Sequence, residues 1–82
     1  MKLPRDMAGE ELARLLRRYG YEITRQTGSH LRLTARVSER EHHITIPAHQ
    51  RLKVGTLHSI LADIATFLKM DRGELLKDLF GG

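Results

Sequence analysis

The stretch Thr27-Gly28-Ser29-His30-Leu31 is the starting point for the fold. Glycine followed by serine is typical of a tight turn between two strands. His30 comes directly after this turn, at the first position of the next strand, so the sequence predicts an imidazole at the edge of a loop. Imidazole is the side chain whose unperturbed pKa lies closest to neutral pH, and His30 is therefore the first candidate for a group that takes and gives a proton.

Three short strands are predicted around this turn. Tyr21–Arg25 alternates between polar and apolar residues and precedes the turn, whereas His30–Val37 follows it with apolar residues at every odd position. A polar turn separates the second strand from the third, His42–Ile46, which stops at Pro47. Strands that are joined by such short turns pair antiparallel.

Side-chain parity predicts how these strands pair. When Ile23, Leu33 and Ile44 share the buried face, Leu33 lies opposite Ile44 and His30 lies opposite Pro47. The polar residues of the second and third strands then share the other, open face: His30, Arg32, His43 and Thr45. The predicted sheet therefore surrounds His30 with polar and cationic side chains.

Helical spacing of apolar residues predicts helices on both sides of the strands. The first helix runs from about Ala8 to Tyr19 and the second from roughly Val54 to Leu68. A short third helix follows Asp71, which resembles an N-cap because Glu74 lies three residues later. The order α-β-β-β-α-α predicts an α+β domain, with a three-stranded antiparallel sheet that has helices on one face and an open second face.

The composition limits the classes of protein that this chain fits. Its 82 residues predict one domain over residues 1–82, with a core too small to enclose a large organic cofactor. Fourteen Lys and Arg against ten Asp and Glu give a net charge of +4. This charge suits a polyanionic partner but is also common in soluble domains that bind none. The absence of cysteine excludes disulfides and thiolate chemistry.

The sequence carries no pattern typical of a membrane segment or of a metal site. No apolar run approaches ~18 residues and the N-terminus has no signal-peptide core, so we expect a cytoplasmic protein without a membrane partner. The five histidines lack the HExxH-type spacing of metal ligands, so we expect no metal and no other cofactor. His42 and His43 beside Glu41 offer only an adventitious metal site.

A second candidate histidine, His49, follows the third strand in a loop that also carries Arg51 and Lys53. The predicted register puts Pro47 across from His30, so His49 lies two residues from that partner. Two imidazoles near one phosphodiester can act as base and acid. Four cations are candidates for phosphate binding: Arg25, Arg32, Arg51 and Lys53. The alternative for each of these side chains is a solvated surface residue without a role.

Three motifs occur in the chain at distances that are fairly specific in combination, although each alone is weak. They are Gly28-Ser29-His30, Pro47-Ala48-His49 and Lys53-Val54-Gly55-Thr56-Leu57. Together they resemble the HicA toxin family, the small mRNA interferases of bacterial and archaeal toxin–antitoxin pairs. The resemblance covers about residues 8 to 70, and residues 71 to 82 are expected to add the short C-terminal helix.

The resemblance implies a fold similar to the double-stranded-RNA-binding domain (dsRBD-like), which agrees with the order of elements predicted from the residues. It also implies cleavage of mRNA without a metal cofactor, with His30 as the catalytic histidine, and a HicB-type antitoxin as the protein partner. We expect RNA contacts from the turn, the second strand and the loop after the third strand: Gly28, Ser29, Arg32, His49, Arg51 and Lys53. A homo-oligomer and a toxin–antitoxin hetero-oligomer are both compatible with the sequence.

Two other functions remain open on the sequence alone. A non-catalytic RNA-binding module of similar fold needs phosphate and 2′-hydroxyl contacts but no imidazole. An interaction domain would use a sheet edge and the apolar end of the third helix, around Leu79 and Phe80. Binding of a transcript without fragments would indicate the module, and lack of RNA affinity at low salt would indicate the interaction domain.

Overall fold

The chain forms an α+β fold with helices and strands in the predicted order. The computed structural model describes residues 3–81. The elements are α1 (Gly9–Leu16) with a following 3₁₀ turn (Arg17–Tyr19), β1 (Glu22–Thr27), β2 (His30–Val37), β3 (Arg40–Pro47), α2 (Val54–Leu68) and α3 (Arg72–Phe80). Helix α2 and strand β2 have the predicted bounds, whereas β1 and β3 are longer than predicted.

The three strands form one antiparallel sheet in the order β1-β2-β3. Between β2 and β3 the predicted register is confirmed, because Leu33 pairs with Ile44 and His30 pairs with Pro47. The turn between β1 and β2 places Gly28 in the left-handed region, with a φ of 57°. Glycine adopts this conformation without the steric cost that a Cβ would add, which explains the residue at this position.

Apolar side chains from the sheet and the helices meet in one core on a single side of the sheet. Strand β2 contributes Leu31, Leu33 and Ala35, which are buried as the odd-position pattern predicts. Helices α1 and α2 contribute the apolar stripes that the helical spacing predicts: Leu12, Leu16, Leu57, Leu61 and Ile64. Within residues 3–81 no helix is both long enough and apolar enough to cross a membrane.

The expected burial of Ile23 is wrong. Ile23 does pair with Leu33, but 54% of its surface is exposed. The physical reason is its place on β1, an edge strand on which all six residues are exposed. The register of β1 on β2 also shifts between Ile23 and Arg25, so a β-bulge interrupts the alternation that the sequence suggested.

The C-terminal helix α3 contacts the 3₁₀ turn that follows α1 as well as the core. Leu75 and Leu79 are buried in the core, and the Asp71 carboxylate accepts a hydrogen bond from the Glu74 amide at 3.2 Å, as expected for an N-cap. On the outer side, Arg18 Nη1 donates to the Asp78 carbonyl oxygen at 2.8 Å. The α3 helix therefore packs as part of the fold.

Candidate active site

His30 is held between two strands at the point where a turn begins β2. Its backbone partners are Thr27 on β1 and Pro47 on β3. The Ala48 amide donates to the carbonyl oxygen of Ser29 at 2.6 Å, which ties the turn to the segment that follows β3. The backbone of His30 is thus fixed from both sides while its side chain is exposed on the open face.

A shallow pocket of about 200 Å³ lies on this open face. Its lining consists of one imidazole, two guanidinium groups and two hydroxyl groups: His30, Arg25, Arg32, Thr27 and Thr45. The predicted face sharing of His30, Arg32 and Thr45 is therefore confirmed. These side chains are hydrogen-bond donors of the kind that bind phosphate oxygens.

The β-bulge explains how Arg25 and Thr27 come to line this pocket. Ile23 pairs with Leu33, but the next pair along the strands is Arg25 with Arg32, so Thr24 is an extra residue on β1. Strict alternation from Ile23 would put Arg25 on the core side of the sheet. The extra residue reverses the parity, which turns both Arg25 and Thr27 toward the open face.

Hydrogen bonds of Thr24 hold the bulge in place. Its hydroxyl lies 2.8 Å from the hydroxyl of Thr34 and donates to the carbonyl oxygen of Arg32 at 3.4 Å. Both contacts go to β2, the strand that carries His30. The sequence gives no local signal for this bulge, because Thr24 is an ordinary residue for a regular strand.

The two arginines of the pocket lack acidic partners in the part of the chain that the structure describes. Among residues 3–81, no carboxylate oxygen lies within 4.0 Å of the guanidinium nitrogens of Arg25 or Arg32. By contrast, Arg36, on the same face of β2, contacts the Glu41 carboxylate at 2.9 Å. The pocket beside His30 therefore keeps its positive charge, whereas the far end of the same strand is neutralised.

The loop after β3 lies nearer to the start of α1 than the sequence suggested. His49 Nδ1 is 3.7 Å from Glu10 Oε1, and Arg51 Nη1 is 3.5 Å from Asp6 Oδ1. Lys53 is exposed at the N-cap of α2. None of the three cationic or basic side chains of this loop is part of the pocket lining, so the structure does not bring His49 into the pocket of His30.

A separate group of polar and aromatic side chains surrounds His42 on the core side of the sheet. The hydroxyl of Tyr21 is 2.6 Å from His42 Nδ1, and His42 Nε2 is 3.1 Å from Asp63 Oδ2. The His42 ring also stacks on Phe67 with the ring centroids 4.8 Å apart. Burial and the nearby Asp63 carboxylate raise the pKa of Tyr21. His42 thus links β3 to α2 as part of the packing.

The histidines differ in whether their rings already have protein partners. His42, His43 and His49 each lie within 4.0 Å of a carboxylate oxygen. Within residues 3–81, the rings of His30 and His58 have no such contact, and of these two only His30 lines the cationic pocket. In the same part of the chain, no three side chains of the metal-ligating types His, Asp and Glu come together.

Comparison with known families gives a match over more than half of the chain. Residues 9–65 match the model of a family described as HicA toxin of bacterial toxin–antitoxin. This segment runs from the first residue of α1 into α2 and includes His30 with the whole pocket. No curated protein and no solved structure matches the chain significantly.

Proposed function

The chain belongs to the HicA toxin family of toxin–antitoxin systems, and from this premise we propose that it is a metal-independent endoribonuclease that cleaves mRNA with His30. The observation that carries the proposal is the exposed His30 imidazole in a pocket whose other donors are guanidinium and hydroxyl groups. An imidazole transfers protons near neutral pH, and the neighbouring donors suit the phosphate on which the proton transfer acts.

Two routes to cleavage are compatible with this arrangement. In the first, the 2′-oxygen of RNA bonds to phosphorus while the bond to the 5′-oxygen breaks, which leaves a cyclic phosphate and a 5′-hydroxyl. In the second, the oxygen of a water molecule bonds to phosphorus while one of the two ester P–O bonds breaks, which leaves a phosphate monoester on one fragment and a hydroxyl on the other. In either route His30 moves a proton at a reacting oxygen, a contribution of about 10²–10⁴-fold in rate. Donors aimed at the charged phosphate oxygens supply further stabilisation of the transition state.

The RNA backbone would follow the cationic side chains on both sides of His30. In this proposal Arg32 holds the phosphate nearest to His30, and the backbone of Gly28 and Ser29 borders it at the turn. His49, Arg51 and Lys53 contact phosphates farther along the strand. Contacts to phosphates fix position but carry little sequence information, and they make binding depend steeply on salt.

Membership of this toxin–antitoxin family implies an antitoxin partner. We propose that this partner is a HicB-type protein that covers the face with His30, and that the two proteins meet in the cytoplasm, where mRNA is present. An antitoxin with acidic side chains would match Arg25 and Arg32, which have no carboxylate partner among the described residues 3–81.

Expression of the chain without its antitoxin tests the nuclease proposal. We expect growth arrest with the wild-type chain and normal growth with His30→Ala. His58→Ala is the matched control, because His58 is exposed on α2 and lies outside the pocket. Growth arrest by a folded His30→Ala protein would contradict the assignment. A protein that binds a labelled transcript without producing fragments would instead be the RNA-binding module.

A further inference from the structure

Two like charges face each other directly at the mouth of the pocket. Arg25 on β1 and Arg32 on β2 are direct partners in the antiparallel register. Like charges at such positions destabilise a sheet, because their Cβ atoms are only about 4.5–5.5 Å apart. In a sheet selected for stability alone, a carboxylate or a neutral residue would be expected at one of the two positions.

The same strand shows how such a charge is neutralised elsewhere. Arg36 lies directly opposite Glu41, and the guanidinium and the carboxylate are 2.9 Å apart. Arg25 and Arg32 have no comparable partner among residues 3–81. The unneutralised pair coincides with the pocket that contains His30.

The bulge makes this pair, since it is the extra residue Thr24 that turns Arg25 toward the open face. A bulge next to a functional site commonly re-aims a side chain in this way. The Thr24 hydroxyl fixes the bulge to the β2 residues Arg32 and Thr34. Arg25 is therefore placed by specific hydrogen bonds of its neighbour.

The size and the lining of the pocket indicate a small anion. Its volume of about 200 Å³ is below the roughly 300–1,000 Å³ of pockets for drug-sized organic ligands. Besides the arginines, Thr27 and Thr45 offer hydroxyl donors, and the lining contains no Phe, Tyr or Trp ring for a base to stack on. One phosphodiester group fits this set of donors better than a nucleobase.

We propose that Arg25 and Arg32 form a phosphate-binding site that takes the scissile phosphodiester and holds it against His30. This inference rests on the proposed function, because it assigns the substrate group on which His30 acts. The two guanidinium groups bind the non-bridging oxygens, and Thr27 and Thr45 donate to the same group. The bulge at Thr24 is then a positioning element of the site.

Binding measurements test the site separately from cleavage. Inorganic phosphate is titrated into the ¹⁵N-labelled protein, with sodium chloride at matched ionic strength as the reference. We expect the amides of Arg25, Thr27 and His30 to shift with phosphate and not with chloride. A 2′-O-methyl RNA, which cannot be cleaved through its 2′-oxygen, is then used to compare affinities.

Arg25→Gln and Arg32→Gln are each expected to raise the Kd for this RNA about tenfold, the loss of one charge-assisted hydrogen bond. Each is also expected to make the negative slope of log K against log salt shallower by about 0.7. Arg36→Gln is the matched control, because it removes a charge that Glu41 already neutralises. We expect less than a twofold change in its Kd.

The outcomes separate the two proposals. Unchanged phosphate shifts and RNA affinity in folded Arg25→Gln and Arg32→Gln would overturn the phosphate site, even if the wild-type protein cleaves RNA. Weakened binding in both variants, together with a wild-type protein that never cleaves RNA, would support the phosphate site and overturn the nuclease. An equal loss in Arg36→Gln would indicate general charge attraction and would also overturn the site.

Discussion

Gly9 and Pro47 lie so close together that a Cβ atom on Gly9 would be 1.7 Å from the carbonyl oxygen of Pro47. The amide of the next residue, Glu10, donates to the carbonyl oxygen of Ala48 at 3.1 Å. The first turn of α1 therefore packs directly on the end of β3. Since Pro47 is the strand partner of His30, this contact also fixes one side of the candidate active site.

Gly9→Ala is expected to destabilise the protein by about 3 kcal/mol, because the added methyl group forces backbone to move. Urea denaturation measures this change. Gly55→Ala is the matched control, because no heavy atom lies within 4 Å of its added Cβ near the start of α2. There, alanine is expected to stabilise by about 0.5–1 kcal/mol. Equal stability of the Gly9 variant and the wild type would contradict the close packing.

Arg25→Gln is expected to stabilise the folded protein while it weakens RNA binding. Removing one of two like charges that face each other relieves a repulsion of roughly 0.2–1 kcal/mol. Thermal denaturation at low salt measures the gain, which should shrink at high salt because the repulsion is screened. A destabilised Arg25→Gln protein would mean that the pair is not strained in the free chain.

The contact between Tyr19 and Asp78 predicts sensitivity to acid. The Tyr19 hydroxyl donates to the Asp78 carboxylate, and this hydrogen bond, with help from Arg18, lowers the pKa of Asp78 from its ordinary 3.8. A lowered pKa in the folded state contributes stability above pH 3.8, and this stability is lost as the pH falls through the folded value. Unfolding midpoints between pH 5 and about 2 should therefore fall less in Asp78→Asn than in the wild type. An equal fall of the unfolding midpoint with pH in Asp78→Asn and in the wild type would contradict a stabilising contact between Tyr19 and Asp78.

The same contact predicts sensitivity to alkali. Burial and the hydrogen bond to Asp78 raise the pKa of Tyr19 from 10.0 to about 12. A raised pKa in the folded state contributes stability that is fully present below pH 10 and is lost as the pH rises toward 12. Tyr19→Phe should reduce this alkaline loss. A part of the loss should remain, because the pKa of the buried Tyr21 is raised as well. An alkaline loss as large as in the wild type would show that Tyr19 does not contribute.

The sequence predicts the fold best where the alternation of side chains is unbroken. Strands β2 and β3 alternate regularly, so parity alone is enough to pair Leu33 with Ile44 and His30 with Pro47. Strand β1 contains one extra residue, and a period-two pattern has no way to show where it lies. Ile23 lies before the extra residue and pairs with Leu33, but parity does not show that β1 is an edge strand with all six residues exposed, so the prediction that Ile23 is buried is wrong.

The candidate site could be predicted only in part, because the extra residue in β1 decides which β1 side chains face it. His30, Arg32 and Thr45 were placed on one face by parity, and they do line one pocket. Arg25 and Thr27 also line the pocket because of the bulge, and no local sequence motif predicts that bulge. The contacts of His42 were also beyond prediction, because its partner Asp63 comes from a helix 21 residues away in the sequence.

Cleavage of a labelled transcript by the purified protein in EDTA tests the role of His30 most directly. We expect fragments from the wild type and a rate about 10²–10⁴-fold lower for His30→Ala, with the far-UV circular dichroism of the two proteins unchanged. His58→Ala should cleave at the wild-type rate. A folded His30→Ala protein that cleaves as fast as the wild type would contradict the account.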